Sequence, residues 1–212
     1  MKFPRSIPSL VPGVPVAAIA TLIALSAMGC GGGADTSARM YTLRLPDPPA
    51  APPPSSKLTI GVEHFSAVTP LNDRRILKYK SPTQVRYYDD DHWVSEPTTM
   101  IAEFAAHYLE RMGIARQASL LPWVESMDYV LQGEILNFEE VESGGHREAR
   151  VALDLTLLRF PKREIAWSGT FRARQPVAGN NVPAAVEALS LATQAVLKSG
   201  FEDLAESLKH HP

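Results

Sequence analysis

Three groups of residues have the types and spacing that chemistry would need. Cys30 is the only cysteine among 212 residues. It cannot close an intrachain disulfide or build a cysteine-rich zinc site, so it is either an idle thiol or a residue wanted for its own reactivity. Asp89-Asp90-Asp91-His92 is the best metal-ligand candidate. Successive side chains on a strand point to opposite faces, so three adjacent carboxylates cannot all turn to one ion; a solvated loop is the expected reading. Glu139, Glu140 and Glu142 offer paired carboxylates for acid/base work, and equally the polar end of a strand; the polar end is expected. His210 and His211 fall in a terminus that should fray, and His64, His92, His107 and His146 share no ligand spacing. There is no G-x-x-x-x-G-K-[ST], no G-x-S-x-G and no H-E-x-x-H, so the chain has no phosphate-binding loop for ATP and no signature nucleophile or zinc helix. The expectation is a chain without catalytic residues, cofactor or metal site. Tyr87, Tyr88 and Trp93 form the remaining cluster. They suit a core strand face with Trp93 sealing the next helix, and they also suit a half-wet patch facing a partner or lipid. Trp123 and Trp167 are assigned to packing.

The surroundings of Cys30 decide what it is for. Lys2 and Arg5 are the only charges before Asp35, and the uncharged run between them is apolar from Val14 to Met28. A positive start, about fifteen apolar residues and a small-residue exit make a secretory signal. Pro12 and Pro15 interrupt the front of the run and Gly29 to Gly33 ends it, which leaves it short of the roughly 20 residues of a membrane span. The exit Ala27-Met28-Gly29-Cys30 resembles a bacterial lipoprotein lipobox, with Ala27 where Leu is usual. That resemblance implies that residues 1–29 are removed, that Cys30 becomes the acylated first residue, and that the chain faces the periplasm. Gly31, in place of an Asp, leans toward the outer membrane.

A tether follows. Gly31 to Ser56 holds three glycines and then Pro46, Pro48, Pro49, Pro52, Pro53 and Pro54. Such a stretch cannot bury enough apolar area to fold, and at roughly 3.1 Å per residue it would span at most about 80 Å. Residues 30–56 are therefore read as a lipidated tether and 57–212 as the folded domain. Tyr41-Thr42-Leu43-Arg44-Leu45 alternates and would form an edge strand over 41–45; if it docks, the free tether shrinks to Gly31–Met40.

The apolar share is 45% and the charged share 21%, which excludes a disordered chain and a polytopic membrane protein. A formal net charge of −2 gives no field toward nucleic acid. Lys57 to Phe65 alternates and reads as a half-buried strand. Asp73–Lys80 and Thr83–Asp89 read as a hairpin through Ser81-Pro82. Pro97 opens a helix whose apolar face carries Met100, Ile101, Phe104, Ala105, Tyr108, Leu109 and Met112, with Gly113 as the stop. Three strands follow over Asp128–Glu140, Arg147–Arg159 and Glu164–Arg174, the last placing Ile165, Trp167, Gly169 and Phe171 on one face. Their short joints imply antiparallel neighbours. Val182-Pro183 starts a closing helix in which Gly200 should bend the helix or let it pack closely. The fold class is α+β: a mostly antiparallel sheet with two helices on one face.

Several phrases, in this order and spacing, resemble one family. They are Tyr41-Thr42-Leu43 soon after the lipobox, Asp73-Arg74-Arg75-Ile76-Leu77-Lys78-Tyr79, Val85-Arg86-Tyr87-Tyr88 followed by Trp93 and Pro97, Asp128-Tyr129-Val130-Leu131-Gln132-Gly133, and Trp167-Ser168-Gly169-Thr170-Phe171 before an Ala/Leu-rich helix. They resemble the PqiC-like auxiliary lipoproteins of ABC-type, MCE-associated transport systems, from about Tyr41 to Leu208. The resemblance implies a subunit that docks a lipid conduit at a membrane. Its implied partners are an MCE-type substrate-binding protein, a separate permease and ATPase, and the membrane reached by acyl chains; a homo-oligomer is compatible with it. The family supplies no catalytic residues. Asp73, Arg74, Tyr87, Tyr88 and Trp93 are the candidate partner contacts, with a hairpin ion pair and core aromatics as the structural alternative. A cell-wall-synthesis scaffold and a lipid-carrying pocket protein are the competing functions.

Overall fold

The computed structural model describes residues 38–48, 56–81, 83–122 and 126–210. The signal, Cys30, Pro82, Trp123 and His211 lie outside the described residues. The strands are β1 (Arg39–Tyr41), β2 (Thr59–Val62), β3 (Ser66–Ala67), β4 (Arg75–Ser81), β5 (Gln84–Trp93), β6 (Gln117–Leu120), β7 (Tyr129–Ser143), β8 (His146–Arg159) and β9 (Glu164–Pro176). The helices are α1 (Pro97–Arg111) and α2 (Val182–His210). Among the described residues no helix is long and apolar enough to cross a membrane.

The 15-residue β7 is the spine of the sheet. Along one edge it pairs with β8, antiparallel and over its whole length, and β8 carries β9 in the same sense. Gly144 and Gly145 make this joint possible. Ser143 pairs with His146, which leaves a two-residue turn, and both glycines have positive φ (59° and 79°). That geometry matches strand twist and is closed to most side chains. Along its other edge β7 receives β2, β3 and β4 in succession, all parallel to it. β4 and β5 form the expected hairpin, and β1 and β6 lie at the edges, parallel to β5 and β2.

The sheet is therefore mixed: its long ladders, β7–β8 and β8–β9, are antiparallel as expected, and short parallel ladders join them. The antiparallel hairpins follow from short joints, which a chain pattern displays. The parallel pairs join segments far apart in sequence; β2 and β6, for example, are linked by a long crossover that contains α1. This corrects the reading of β2. It is buried on both faces, because it lies between β6 and β7 with α1 on one side and Leu121 and Met127 against Gly61 on the other.

The two helices touch one another, α1 resting on β2 and β6 and α2 on β7, β8 and β9. Pro97 sits in the first turn of α1 and Gly113, with φ 71°, follows its end. The side chain of Asn181 caps α2 by accepting the Ala184 N–H at 2.9 Å. Gly200 resolves as a close-packing glycine. A Cβ there would lie 3.1 Å from Leu155 and from Phe171, so α2 seats directly on the Leu153–Leu155–Leu157 row, which is fully buried. Trp167 anchors the same contact, its Nε1 donating to Asp203 Oδ2 at 2.8 Å.

One β9 residue departs from its expected face. Leu157 pairs with Trp167, but Leu158 pairs with Ile165, so a bulge falls between them. A bulge reverses side-chain alternation, and Ile165 points outward, 70% exposed.

Candidate functional site

The residues with the best claim to function lie around β4, β5 and the upper half of β7. Tyr87 and Tyr88 are successive strand residues and take opposite sheet faces. Tyr87 donates from its hydroxyl to the Pro70 carbonyl at 3.2 Å, and the Arg75 guanidinium lies 4.0 Å from its ring centre. Asp73 accepts from the Arg75 backbone N–H at 2.8 Å and from its guanidinium at 2.6 Å. The ion pair at the foot of the hairpin is thus Asp73–Arg75. Arg74 instead donates to the carbonyls of Trp93 (3.1 Å) and Val94 (2.7 Å), while the Trp93 N–H returns a bond to the Arg74 carbonyl. Trp93 is 1% exposed and packs 5.3 Å from the Phe138 ring. Asp73, Arg74, Tyr87 and Trp93 gather at one corner. Tyr88 belongs to a different group.

That group is a buried charge network which the sequence reading placed at a polar strand end. Glu139 and Glu140 are instead inside, 3% and 0% exposed. Glu140 shares the helix-side face with Tyr88 and Lys78. Its Oε1 accepts from Arg147 Nε at 2.5 Å, its Oε2 accepts from the Tyr88 hydroxyl at 2.7 Å, and Lys78 Nζ stands 3.6 Å away. Arg147 also donates to the Tyr88 hydroxyl at 3.1 Å and to the Gly179 carbonyl before α2. Lys78 continues to Glu142 at 3.0 Å, which also binds Lys80. One network thus ties the β4–β5 hairpin, the β7–β8 hairpin and the entry to α2.

The electrostatics follow from these partners. Burial pushes the Glu140 carboxyl upward, but the hydrogen bonds from Arg147 and Tyr88 and the charges of Arg147 and Lys78 outweigh it, and the net shift is downward. Burial and the adjacent Glu140 push the Tyr88 hydroxyl up to about 12. Hydrogen bonds from Lys80 and Lys78 hold Glu142 down, to about 2. Glu139, on the opposite face, is raised by burial; among the described residues its hydrogen bonds come from Asn137 Nδ2 at 2.9 Å and the Phe138 N–H at 2.7 Å.

A signal for this network was present in the sequence. A two-residue turn at Gly144-Gly145 sets Glu142 opposite Arg147, and Glu140 is then the diagonal neighbour that a long side chain reaches.

The Asp89–His92 run, expected as a solvated loop, is the end of β5. Asp89 and Asp90 are exposed, whereas Asp91 is buried and takes a two-pronged bond from Arg39 at 2.7 and 2.8 Å. Hydrogen bonding to Arg39 holds its carboxyl below the usual aspartate range. This pair fixes β1 to the sheet edge. The alternating segment enters the sheet earlier than 41–45, over Arg39–Tyr41, and then leaves it to bury Leu43 and Leu45. The Arg44 N–H donates to Ser190 Oγ at 3.1 Å, and the Tyr108 hydroxyl donates to the Pro46 carbonyl. Residues 38–48 thus form a strap across both helices, and the compact unit runs from Ala38 to Pro212.

Fold and site together define an α+β module with a strapped-in leading segment. The model that describes ABC-type transport auxiliary lipoprotein components matches residues 41–199. The chain belongs to that family. Solved structures that share the fold include two with long coverage. Protein XCC0632 from Xanthomonas campestris is 20% identical, with a TM-score of 0.73 over 82% of this chain and 100% of that one. An uncharacterized protein is 11% identical, with a TM-score of 0.64 over 79% of this chain and 99% of that one. The comparison with curated proteins returned no significant match.

Proposed function

We propose that this transport auxiliary lipoprotein is the non-catalytic, periplasm-facing subunit of an ABC/MCE-type system that moves lipid between membranes, and that it docks the lipid conduit at a membrane, the outer membrane. The observation that carries the reading is the family match over 41–199, which spans every element from the end of β1 into α2. Cys30 is the acylation site. A single acyl chain binds a bilayer only marginally at about 0.8 kcal/mol per buried methylene, so permanent anchoring takes more than one. Ala38 lies eight residues past Cys30, so the anchor keeps the start of the fold within about 29 Å of the bilayer. That short reach suits a piece whose work is positional. Asp73, Arg74, Tyr87 and Trp93 are proposed as residues that shape the docking corner, and Tyr88 as a residue that steadies the same hairpin from the opposite sheet face. Trp93 shapes the corner from within, by holding β5 against β7.

The lipid-carrier alternative needs an apolar cavity of lipid size. A depression of about 340 Å³ on the face away from the helices is bordered by Glu63, His64, Gln132, Glu134 and Asp154, which suit water better than acyl chains. Affinity purification of the chain from native membranes tests the proposal. An MCE-type protein with its permease and ATPase should co-purify, and deletion should make the envelope leaky. Recovery of a peptidoglycan synthase, with permeability unchanged, would overturn it.

A further inference from the structure

Adjacent glutamates on β7 meet opposite treatment. Glu140 has a cation in contact, whereas Glu139 has none within ion-pair distance among the described residues. An ionised carboxylate offers about four acceptor sites, and Asn137 and the Phe138 N–H occupy two. Burying such a charge without a counter-ion is costly. The nearby Arg150 guanidinium relieves it only in part, because its hydrogen bond goes to Glu148 at 2.5 Å. Glu139 does not face packed core. It lines a cavity of about 310 Å³ with Tyr79, Ser81, Asn137, Val141 and Ser143, and the charged Glu142 and Arg150 complete the wall. That volume is at the small end for ligand sites. Its walls pair an aromatic ring and an apolar Val with hydroxyl acceptors, around a carboxylate with no cation in contact; Arg150 is engaged by Glu148, and Glu142 by Lys78 and Lys80.

We propose that this cavity is a binding site for a primary ammonium group on a short aliphatic stem, with Glu139 as its counter-ion. The –NH3⁺ group has three donors and no acceptor. Glu139 takes the first, and the hydroxyls of Tyr79, Ser81 and Ser143, whose residues line the same cavity, offer acceptors for the others. Val141 and the Tyr79 ring cover the methylenes. Raising of the Glu139 carboxyl by burial is the expected state of such a site when empty. This inference is independent of the transport reading.

The test is a titration of the full chain, with the glutamates carboxyl-labelled, followed by NMR. The probes are ethanolamine, glycerophosphoethanolamine and, as the uncharged control, ethylene glycol. Ethanolamine should shift the Glu139 signal saturably, and ethylene glycol should not. A saturable response to glycerophosphoethanolamine as well assigns the site to a headgroup, and a response to ethanolamine alone assigns it to a free amine. Glu139→Gln should weaken binding at least about tenfold. No saturable shift with either amine, or an equal shift with ethylene glycol, would overturn the proposal, and neither result depends on the variant folding.

Discussion

Replacing Arg147 by Met tests the buried network most sharply. Met keeps the length of the side chain but removes the cation and the 2.5 Å bond to Glu140. Glu140 then retains the Tyr88 hydroxyl at 2.7 Å and Lys78 at 3.6 Å, inside a site with no exposure. Removing one partner of a buried pair costs about 3–5 kcal/mol. Lys78 is close enough to move in, which places the loss near 3 kcal/mol. For a domain of this size that lowers Tm by about 6–12 °C. Urea unfolding followed by the fluorescence of buried Trp93 and Trp167 measures it. Adding Glu140→Leu to Arg147→Met should recover stability, because no buried charge is then stranded, with a coupling of about 2 kcal/mol in the double-mutant cycle. The pH dependence has a fixed sign. The Glu140 carboxyl is depressed in the folded state, so its contribution is present above the ordinary glutamate range and disappears as pH falls through the lowered value. Arg147→Met should flatten that acid limb. A single-variant loss under about 1 kcal/mol, or strict additivity, would refute the reasoning.

Three further outcomes are expected. Glu139→Gln should gain stability relative to the parent as pH rises above the ordinary glutamate range, since a carboxyl raised by burial loses its stabilising contribution as pH climbs through its folded value; thermal melts across pH measure the gap. Asp91→Asn should loosen β1 by removing half of the Arg39 pair, with faster hydrogen exchange at Val94, whose N–H donates to the Tyr41 carbonyl at 2.8 Å. Because Arg39 depresses the Asp91 carboxyl, the parent should show the same loosening only as pH falls below the ordinary aspartate value. Gly133→Ala should cost about 1–3 kcal/mol, because its Cβ would sit 2.6 Å from the Phe65 ring.

What the sequence could say about this fold depended on the range of the interaction. The β7–β8 and β4–β5 hairpins and both helices were legible, since turns, caps and alternation are local signals. The parallel pairing of β2, β3 and β4 with β7 was not, because it joins distant segments and leaves no turn to read. β3 has only two residues. β6 is held partly by Glu110, which accepts the Ala118 N–H at 2.8 Å. Polarity misled at Glu139, Glu140 and Asp91. Each looks like surface, yet each is buried because a partner or a turn of chain covers it. Ile165 misled in the opposite sense, since one bulge reversed the parity on which its placement relied. The candidate contacts were visible as residue types. Their division between two sheet faces required the register.

Lipid attachment at Cys30 is the claim on which the positional role rests. Cells fed labelled palmitate, expressing the chain or its Cys30→Ser variant, measure it directly when envelope permeability is scored in the same strains. The account predicts label on the parent, none on the variant, and a leaky envelope with the variant although its domain is folded. An unlabelled parent, or a Cys30→Ser variant that restores the barrier fully, would contradict it.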